Sequence, residues 1–426
     1  MAKRAAGEDH DGRPEPGQSA HVVLQPTMRA QMVGASITLA AALAAVSMTR
    51  PQLPLLLTAL GVTEAGIGAL AALFAVMPLL MAIPCGAWID RVGPGIPAMV
   101  GSAGIAASMA IVAAAPAAGS VALSQLLAGQ SQLLVVLSAQ VAATATSSGR
   151  QLDRNVGLLL ACAAAAHLVG PATGGMVAGR AGTPAVFAWS AAMGLVALAA
   201  AAVLHGLERR SGSFGHPCRR RQPVLSGFGE ALRWVRGEGA MKAAVVVTLG
   251  VVLGETARQV FLPLQLASRS FGPGVVGTVA SASGLGSLAV RPATALLVKA
   301  LGSRWALAVA SLFGAGLCAL ASSRALSVPG YATVAFGWGA ASGAWPAVAT
   351  TILSERYGPG RRALALSVRL TANQVAEVLG PVALGLVAGR GGPDAALATA
   401  GALLLAEAVA LHRYAAGVRP VPPPGR

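Results

Sequence analysis

The chain has 426 residues, of which 55% are hydrophobic and 11% are charged, and its formal net charge is +16. Soluble domains carry roughly a quarter of their residues as charges, so this composition excludes an ordinary soluble domain and indicates a surface that faces lipid. The positive charge does not indicate nucleic-acid binding, because no basic stripe is interleaved with stacking aromatic residues.

Apolar runs that can cross about 30 Å of hydrocarbon as helices recur along the whole chain. Twelve are predicted, at 30–50, 63–86, 95–115, 119–143, 156–178, 184–206, 241–265, 273–298, 303–322, 328–352, 363–388 and 394–416. The predicted fold class is therefore an all-α membrane protein whose twelve transmembrane helices form two pseudo-symmetric six-helix bundles. The predicted order is a disordered cytoplasmic tail (1–28), a first bundle (29–206), a basic cytoplasmic linker (207–240), a second bundle (241–416) and a short tail (417–426).

The two predicted bundles share an internal repeat. The segment Gly170–Arg180 returns as Gly380–Arg390, with seven of eleven positions identical. Each copy has one ionisable residue three positions before its Gly-Pro pair, His167 in the first and Glu377 in the second. Two similar apolar halves with titratable residues at equivalent depths indicate a secondary transporter built from parallel repeats.

A second part of the repeat joins the first two spans of each half. Arg50 and Gly68 recur, with a one-residue slip, as Arg258 and Gly277. The match extends the duplication beyond the Gly-Pro segments.

Basic residues are distributed unevenly across the predicted topology. Of the 31 Lys and Arg residues, 25 fall on the side of the two termini, and the other side receives six: Arg50, Arg180, Arg258, Arg269, Arg324 and Arg390. The positive-inside rule then predicts a multi-pass protein of the cytoplasmic (inner) membrane with both termini in the cytoplasm.

The end of the second span carries a short polar motif, G-x-x-x-D-R-x-G, formed by Gly86, Asp90, Arg91 and Gly93. It resembles the signature between the second and third helices of the major facilitator superfamily, although Pro94 and Gly95 stand where that family has basic residues. The resemblance implies that contacts made by Asp90 and Arg91 hold the cytoplasmic face of a transporter closed. The alternative is a polar loop that only stops translocation.

The fifth span resembles the antiporter motif of the superfamily's drug and proton exporters, through Gly170, Pro171, Gly174 and Gly175. The chain departs from the exporter pattern at two positions. Ala166 stands where the fifth-span motif has glycine, and Gln125 stands in the fourth span where exporters often carry arginine. Proline kinks a helix and glycine permits close helix contact, and the same features recur at Gly380 and Pro381. Export is therefore implied by the resemblance, and helix packing without any information on direction is the alternative.

Three acidic or basic groups within the spans are candidates for proton coupling: His167, Glu377 and Glu255. An ionisable group at mid-bilayer costs about 2.5–3.5 kcal/mol, and histidine changes charge near neutral pH. The alternatives are structural. His167 and Glu377 can be buried hydrogen-bonded side chains, Arg369 can hold Glu377 permanently ionised through Asn373, and Glu255 can form a neutralised pair with Arg258.

In the superfamily, the first, fourth, seventh and tenth helices line a central cavity, and the resemblance carries this expectation to the present chain. The candidate cavity residues are Arg258, Gln125, Gln132, Trp338, Trp345 and Asn373. Amides, an acid–base pair and two indoles favour an amphipathic or cationic organic solute over a small inorganic ion. The two tryptophans can alternatively face lipid or serve in packing.

The function predicted from the sequence is proton-coupled export of a small organic compound by alternating access. An uptake symporter or facilitator for a sugar or organic acid remains as one alternative, and a transport-inactive receptor or scaffold as another. The expected partners are a small-molecule substrate, protons and the lipid bilayer, and the protein is expected to be a monomer. No enzyme activity, cofactor, metal site or nucleic-acid partner is expected, because the spans lack metal-ligand clusters and nucleophile–base pairs and the chain lacks a phosphate-binding loop.

Overall fold

The computed structural model describes residues 18–145, 149–211, 239–345, 348 and 362–417, and every regular element in these ranges is helical. The described part of the first half contains seven helices: α1 (Gln18–Thr49), α2 (Leu53–Ala59), α3 (Glu64–Val92), α4 (Gly95–Ala114), α5 (Ala118–Ala145), α6 (Gly149–Ala181) and α7 (Thr183–Ser211). Because α1 and α2 together cross the membrane region once, these helices provide six spans.

The second half repeats this order. It contains α8 (Gly239–Thr256), a π-helical turn (Ala257–Phe261), α9 (Leu262–Ser268), α10 (Pro273–Leu301), α11 (Arg304–Ser322), α12 (Val328–Gly343) and α13 (Arg362–Gly417). The long helix α13 turns at Gly392, where φ is 75°, a conformation that glycine adopts without strain. Its two arms are residues 362–391 and 393–417. Ten helical segments of the described chain, with α13 counted once, are long and apolar enough to cross a membrane, and the predicted all-α membrane fold class is confirmed.

The helix ends differ in places from the boundaries predicted from the sequence. Helix α1 includes residues 18–28, which the sequence assigns to the tail, and α7 extends to Ser211, inside the predicted linker. Residues 212–238, which make up most of that linker, lie outside the described residues, as do residues 1–17 and 418–426.

The two halves pack internally in the same way. In the first half α1 contacts α5, α6 and α7, and α4 lies against α5 and α7; in the second half α13 contacts α8 and α11, while α12 contacts α10 and α11. The core contains many small residues, and glycines allow close helix approach. A Cβ atom on Gly101 would lie 2.7 Å from the carbonyl oxygen of Ser131. Contact of this kind is typical of helix association in lipid.

The halves meet along three helix pairs, and repeat-related glycine contacts between them lie on the side of the membrane region opposite to the termini, called here the far side. Helix α2 contacts α9, α3 contacts the first arm of α13, and α6 contacts α10. The last two contacts are made by repeat-related glycines: a Cβ atom on Gly277 would lie 2.7 Å from the Cα of Gly175, and one on Gly68 would lie 3.0 Å from the Cα of Gly385. These backbone contacts close the far side of the protein.

Candidate functional site

A cavity of about 430 Å³ lies between the two halves, on the terminus side of the glycine contacts. Helices from both halves line it, including α1, α3, α5 and α6 from the first and α8, α10 and α13 from the second. Its volume is within the range of about 300–1,000 Å³ found for sites that bind small organic molecules.

The first span of each half is interrupted at the level of this cavity. Helix α1 ends at Thr49, and Arg50 lies in a turn before Pro51, which cannot continue the backbone hydrogen-bond ladder. The first span of the second half contains the π-helical turn at Ala257–Phe261. Such turns often occur at functional sites. As a result, the repeat-related arginines Arg50 and Arg258 both line the cavity.

Arg258 is held by a network within the second half. Its Nε donates to Oε2 of Glu255 at 3.2 Å, and its two terminal nitrogens donate to Glu255 and to the hydroxyl of Ser283. The amide nitrogen of Gln259 also donates to Glu255. Arg258 and Glu255 therefore form a hydrogen-bonded ion pair on the cavity wall.

Arg50 corrects a prediction from the sequence. The predicted distribution of basic residues across the membrane places Arg50 at the outer end of the first span. The structure instead places its guanidinium in the cavity, 4.3 Å from the centre of the Phe74 ring. Its Nη1 donates to Oε1 of Gln259 at 2.6 Å and so connects the two halves. The repeat relation to Arg258 was the signal that could have placed Arg50 here.

The two repeat-related titratable residues, His167 and Glu377, also line the cavity. Nδ1 of His167 lies 2.9 Å from the hydroxyl oxygen of Ser47, and Nδ2 of Asn373 donates to Oε1 of Glu377 at 2.8 Å. Arg369 lines the cavity as well, but no ion pair joins it to Glu377 in the described structure, and its Nε has no hydrogen-bond partner there. Both titratable side chains can therefore be reached by solvent or solute in the cavity.

The remaining predicted cavity residues separate into two groups. Gln125, Gln132 and Trp345 line the cavity, whereas Trp338 is fully buried and does not. Both tryptophans were expected at the cavity, and only Trp345 reaches it.

The charge of the cavity differs from the expectation of a site for a cationic solute. Its described lining includes four arginines and two glutamates, a formal excess of two positive charges with His167 neutral: Arg50, Arg258, Arg291, Arg369, Glu255 and Glu377. The sequence-based expectation counted only the Glu255–Arg258 pair. Like charges repel more strongly in a site of low dielectric constant, so this lining disfavours an organic cation.

The polar motif of the second span lies at the terminus side. Asp90 and Arg91 are exposed in the last turn of α3, and neither is hydrogen-bonded or paired with any residue that the structure describes. A Cβ atom on Gly86 would meet nothing within 4 Å, whereas Gly93 ends the helix with a φ of 81° that favours glycine.

The neighbouring helix start is capped by a residue that sequence analysis did not select. The backbone N–H of Gly95 donates to Oε2 of Glu208 at 2.9 Å, a position where a carboxylate complements the positive end of a helix. The start of α4 is therefore capped by Glu208 on α7 and not by Asp90 of the neighbouring motif.

Two pseudo-symmetric six-helix bundles around a polar cavity, joined at one side by glycine contacts, are the architecture of a membrane transporter. The family comparison agrees, since the model of the Major Facilitator Superfamily matches residues 35–253 and 244–426. The chain belongs to the Major Facilitator Superfamily.

Relatives of known sequence and structure extend this comparison. The class G tetracycline resistance protein of Vibrio anguillarum is 31% identical over 200 residues, which are 46% of this chain and 50% of that protein. The chain thus matches about half the length of this relative.

Among solved structures, the peptide transporter POT has a TM-score of 0.75 at 12% identity, covering 90% of this chain and 94% of its own. The nucleoside transporter NupG has a TM-score of 0.74 at 12% identity, covering 90% and 99%. At these identities the similarity shows the shared fold alone.

Proposed function

We propose that the protein is a secondary active transporter that exports a small amphipathic organic compound in exchange for protons. The observation that carries the proposal is the cavity itself: it contains two repeat-related titratable residues, His167 and Glu377, and repeat-related glycine contacts close it on the far side. Because the two contacts are equivalent, a rocking motion of the halves can release both together and expose the cavity to the far side.

Export rather than uptake is supported by two sequence features. The fifth-span motif around Gly170 resembles that of exporters, and the matched relative is named for resistance to a drug. A membrane transporter confers resistance when it moves the toxic compound out of the cell.

A growth assay followed by a vesicle assay tests the direction of transport. Cells that lack or overproduce the protein are compared against a panel of organic compounds, and a compound that selectively inhibits the deletion strain is then labelled. Everted vesicles energised by respiration should accumulate this compound, and collapse of the pH gradient with nigericin should stop accumulation. Accumulation by energised intact cells instead would identify an uptake symporter.

The orientation of the chain is a separate prediction, based on the uneven distribution of basic residues. Single cysteines at the exposed positions Pro116 and Leu326, in a background without native cysteines, should react with an impermeant maleimide added to intact cells. A cysteine at Arg210 should react only after the membrane is permeabilised, because Arg210 lies on the terminus side. External labelling at Arg210 would reverse the proposed topology.

A further inference from the structure

The repeat-related arginines Arg50 and Arg258 have different neighbours. Three residues before Arg258 stands Glu255, whose carboxylate pairs with the guanidinium. Three residues before Arg50 stands Ser47, a neutral hydroxyl that contacts His167. The second half therefore neutralises its arginine within the same span, and the first half does not.

Arg50 is half-buried between the two halves and has no direct counter-ion in the described structure. Its contacts are the amide oxygen of Gln259 and the face of the Phe74 ring, and no carboxylate in the described structure lies within 4 Å of it. Electrostatic interaction with Glu377 and Glu255 acts over longer distances. A charge removed from water is costly unless it is paired, so Arg50 is a position where an anionic group gains a charge-assisted hydrogen bond.

Unpaired polar atoms elsewhere in the cavity wall also favour a ligand that accepts hydrogen bonds. Two buried side-chain atoms of its described lining have no hydrogen-bond partner, Nε of Arg369 and Nε1 of Trp345, and both are donors. A wall with unpaired donors and excess positive charge favours a ligand rich in acceptors.

We propose that the transported solute is an organic anion whose carboxylate, sulfonate or phosphate group binds to Arg50. The anionic group displaces or shares the amide oxygen of Gln259, and the apolar part of the solute occupies the space beside Phe74 and Trp345. Arg258 differs from Arg50, since Glu255 and Ser283 already occupy its donors. The inference rests on the proposed transporter function and specifies its substrate class.

Equilibrium binding to the purified full-length protein in nanodiscs tests this inference with a pair of probes of matched shape and opposite charge, 2-naphthoate and 2-naphthylmethylammonium. The wild-type protein should bind the anion saturably and at least about tenfold more tightly than the cation, a difference of about 1.4 kcal/mol. Equal affinities, preference for the cation, or no saturable binding of the anion would each overturn the proposal.

Variants then assign the binding to Arg50. Arg50→Gln should weaken binding of 2-naphthoate by about thirtyfold or more, as expected when one partner of a buried charge pair is removed. Arg50→Lys, which keeps the charge but loses the planar fork, should recover part of the affinity. Arg180→Gln, an exposed arginine at the end of α6, is the matched control and should bind like the wild type. Unchanged affinity in a folded Arg50→Gln protein would contradict the assignment.

The binding assay and the vesicle assay can fail separately. Loss of anion preference in a protein whose vesicles still export a compound contradicts the anion proposal alone. Saturable anion binding by a protein that transports nothing contradicts the export proposal alone.

Discussion

Gly175→Leu is expected to prevent the far side of the protein from closing and to reduce transport by at least about tenfold, or about 1.4 kcal/mol. A Cβ atom on Gly175 would lie 2.8 Å from the Cα of Gly277 and 2.9 Å from the carbonyl oxygen of Pro273. These are backbone atoms that cannot move aside without displacing α10. Even small additions to a packed contact cost about 1–3 kcal/mol, and leucine adds four carbon atoms.

The change in conformation can be measured without knowledge of the substrate. Spin labels at two exposed positions, Ala181 at the end of α6 and Gly272 before α10, should move apart in the Gly175→Leu protein. The control is Gly179→Leu, one turn further along the same helix, where a Cβ atom meets nothing within 4 Å. An unchanged distance in Gly175→Leu, or an equal increase in Gly179→Leu, would show that the glycine contact does not close the far side.

Glu377→Gln is expected to abolish uphill transport driven by a pH gradient while downhill exchange of substrate continues. The carboxyl group lines the cavity and accepts a hydrogen bond from Asn373. A proton-coupling group must bind and release its proton in two differently hydrated states, and glutamine keeps the shape of glutamate without a titratable proton. Substrate-dependent proton flux in proteoliposomes should fall by at least about tenfold, or about 1.4 kcal/mol, while counterflow remains measurable.

Two further variants make the proton-coupling experiment specific. Glu407→Gln removes another acid of α13 that does not line the cavity, and this protein should keep proton coupling. His167→Ala should shift the pH optimum of transport with a smaller loss of activity. Wild-type proton flux in Glu377→Gln would instead assign the carrier role to Glu255, the other acid in the described lining.

The sequence alone determined the fold class and the repeat. Within lipid each span must satisfy its own backbone hydrogen bonds, so a membrane helix is readable from the length and composition of its segment. The repeat also matched two glycines whose place at the interface between the halves was shown only by the structure. Gly68 and Gly277 were matched in sequence, and the structure places both at equivalent contacts.

Only the tertiary structure decided which side chains share the cavity. Arg50 was predicted at the outer end of its span, but the break before Pro51 turns it inward against Phe74 and Gln259. Trp338 and Trp345 were both predicted at the cavity, but Trp338 is fully buried and only Trp345 reaches the cavity. Periodicity assigns a residue to a helix face only while the helix remains regular. Arg50 lies in a turn and Arg258 in a π-helical segment, where helical periodicity no longer applies and contacts distant in sequence determine the direction of each side chain.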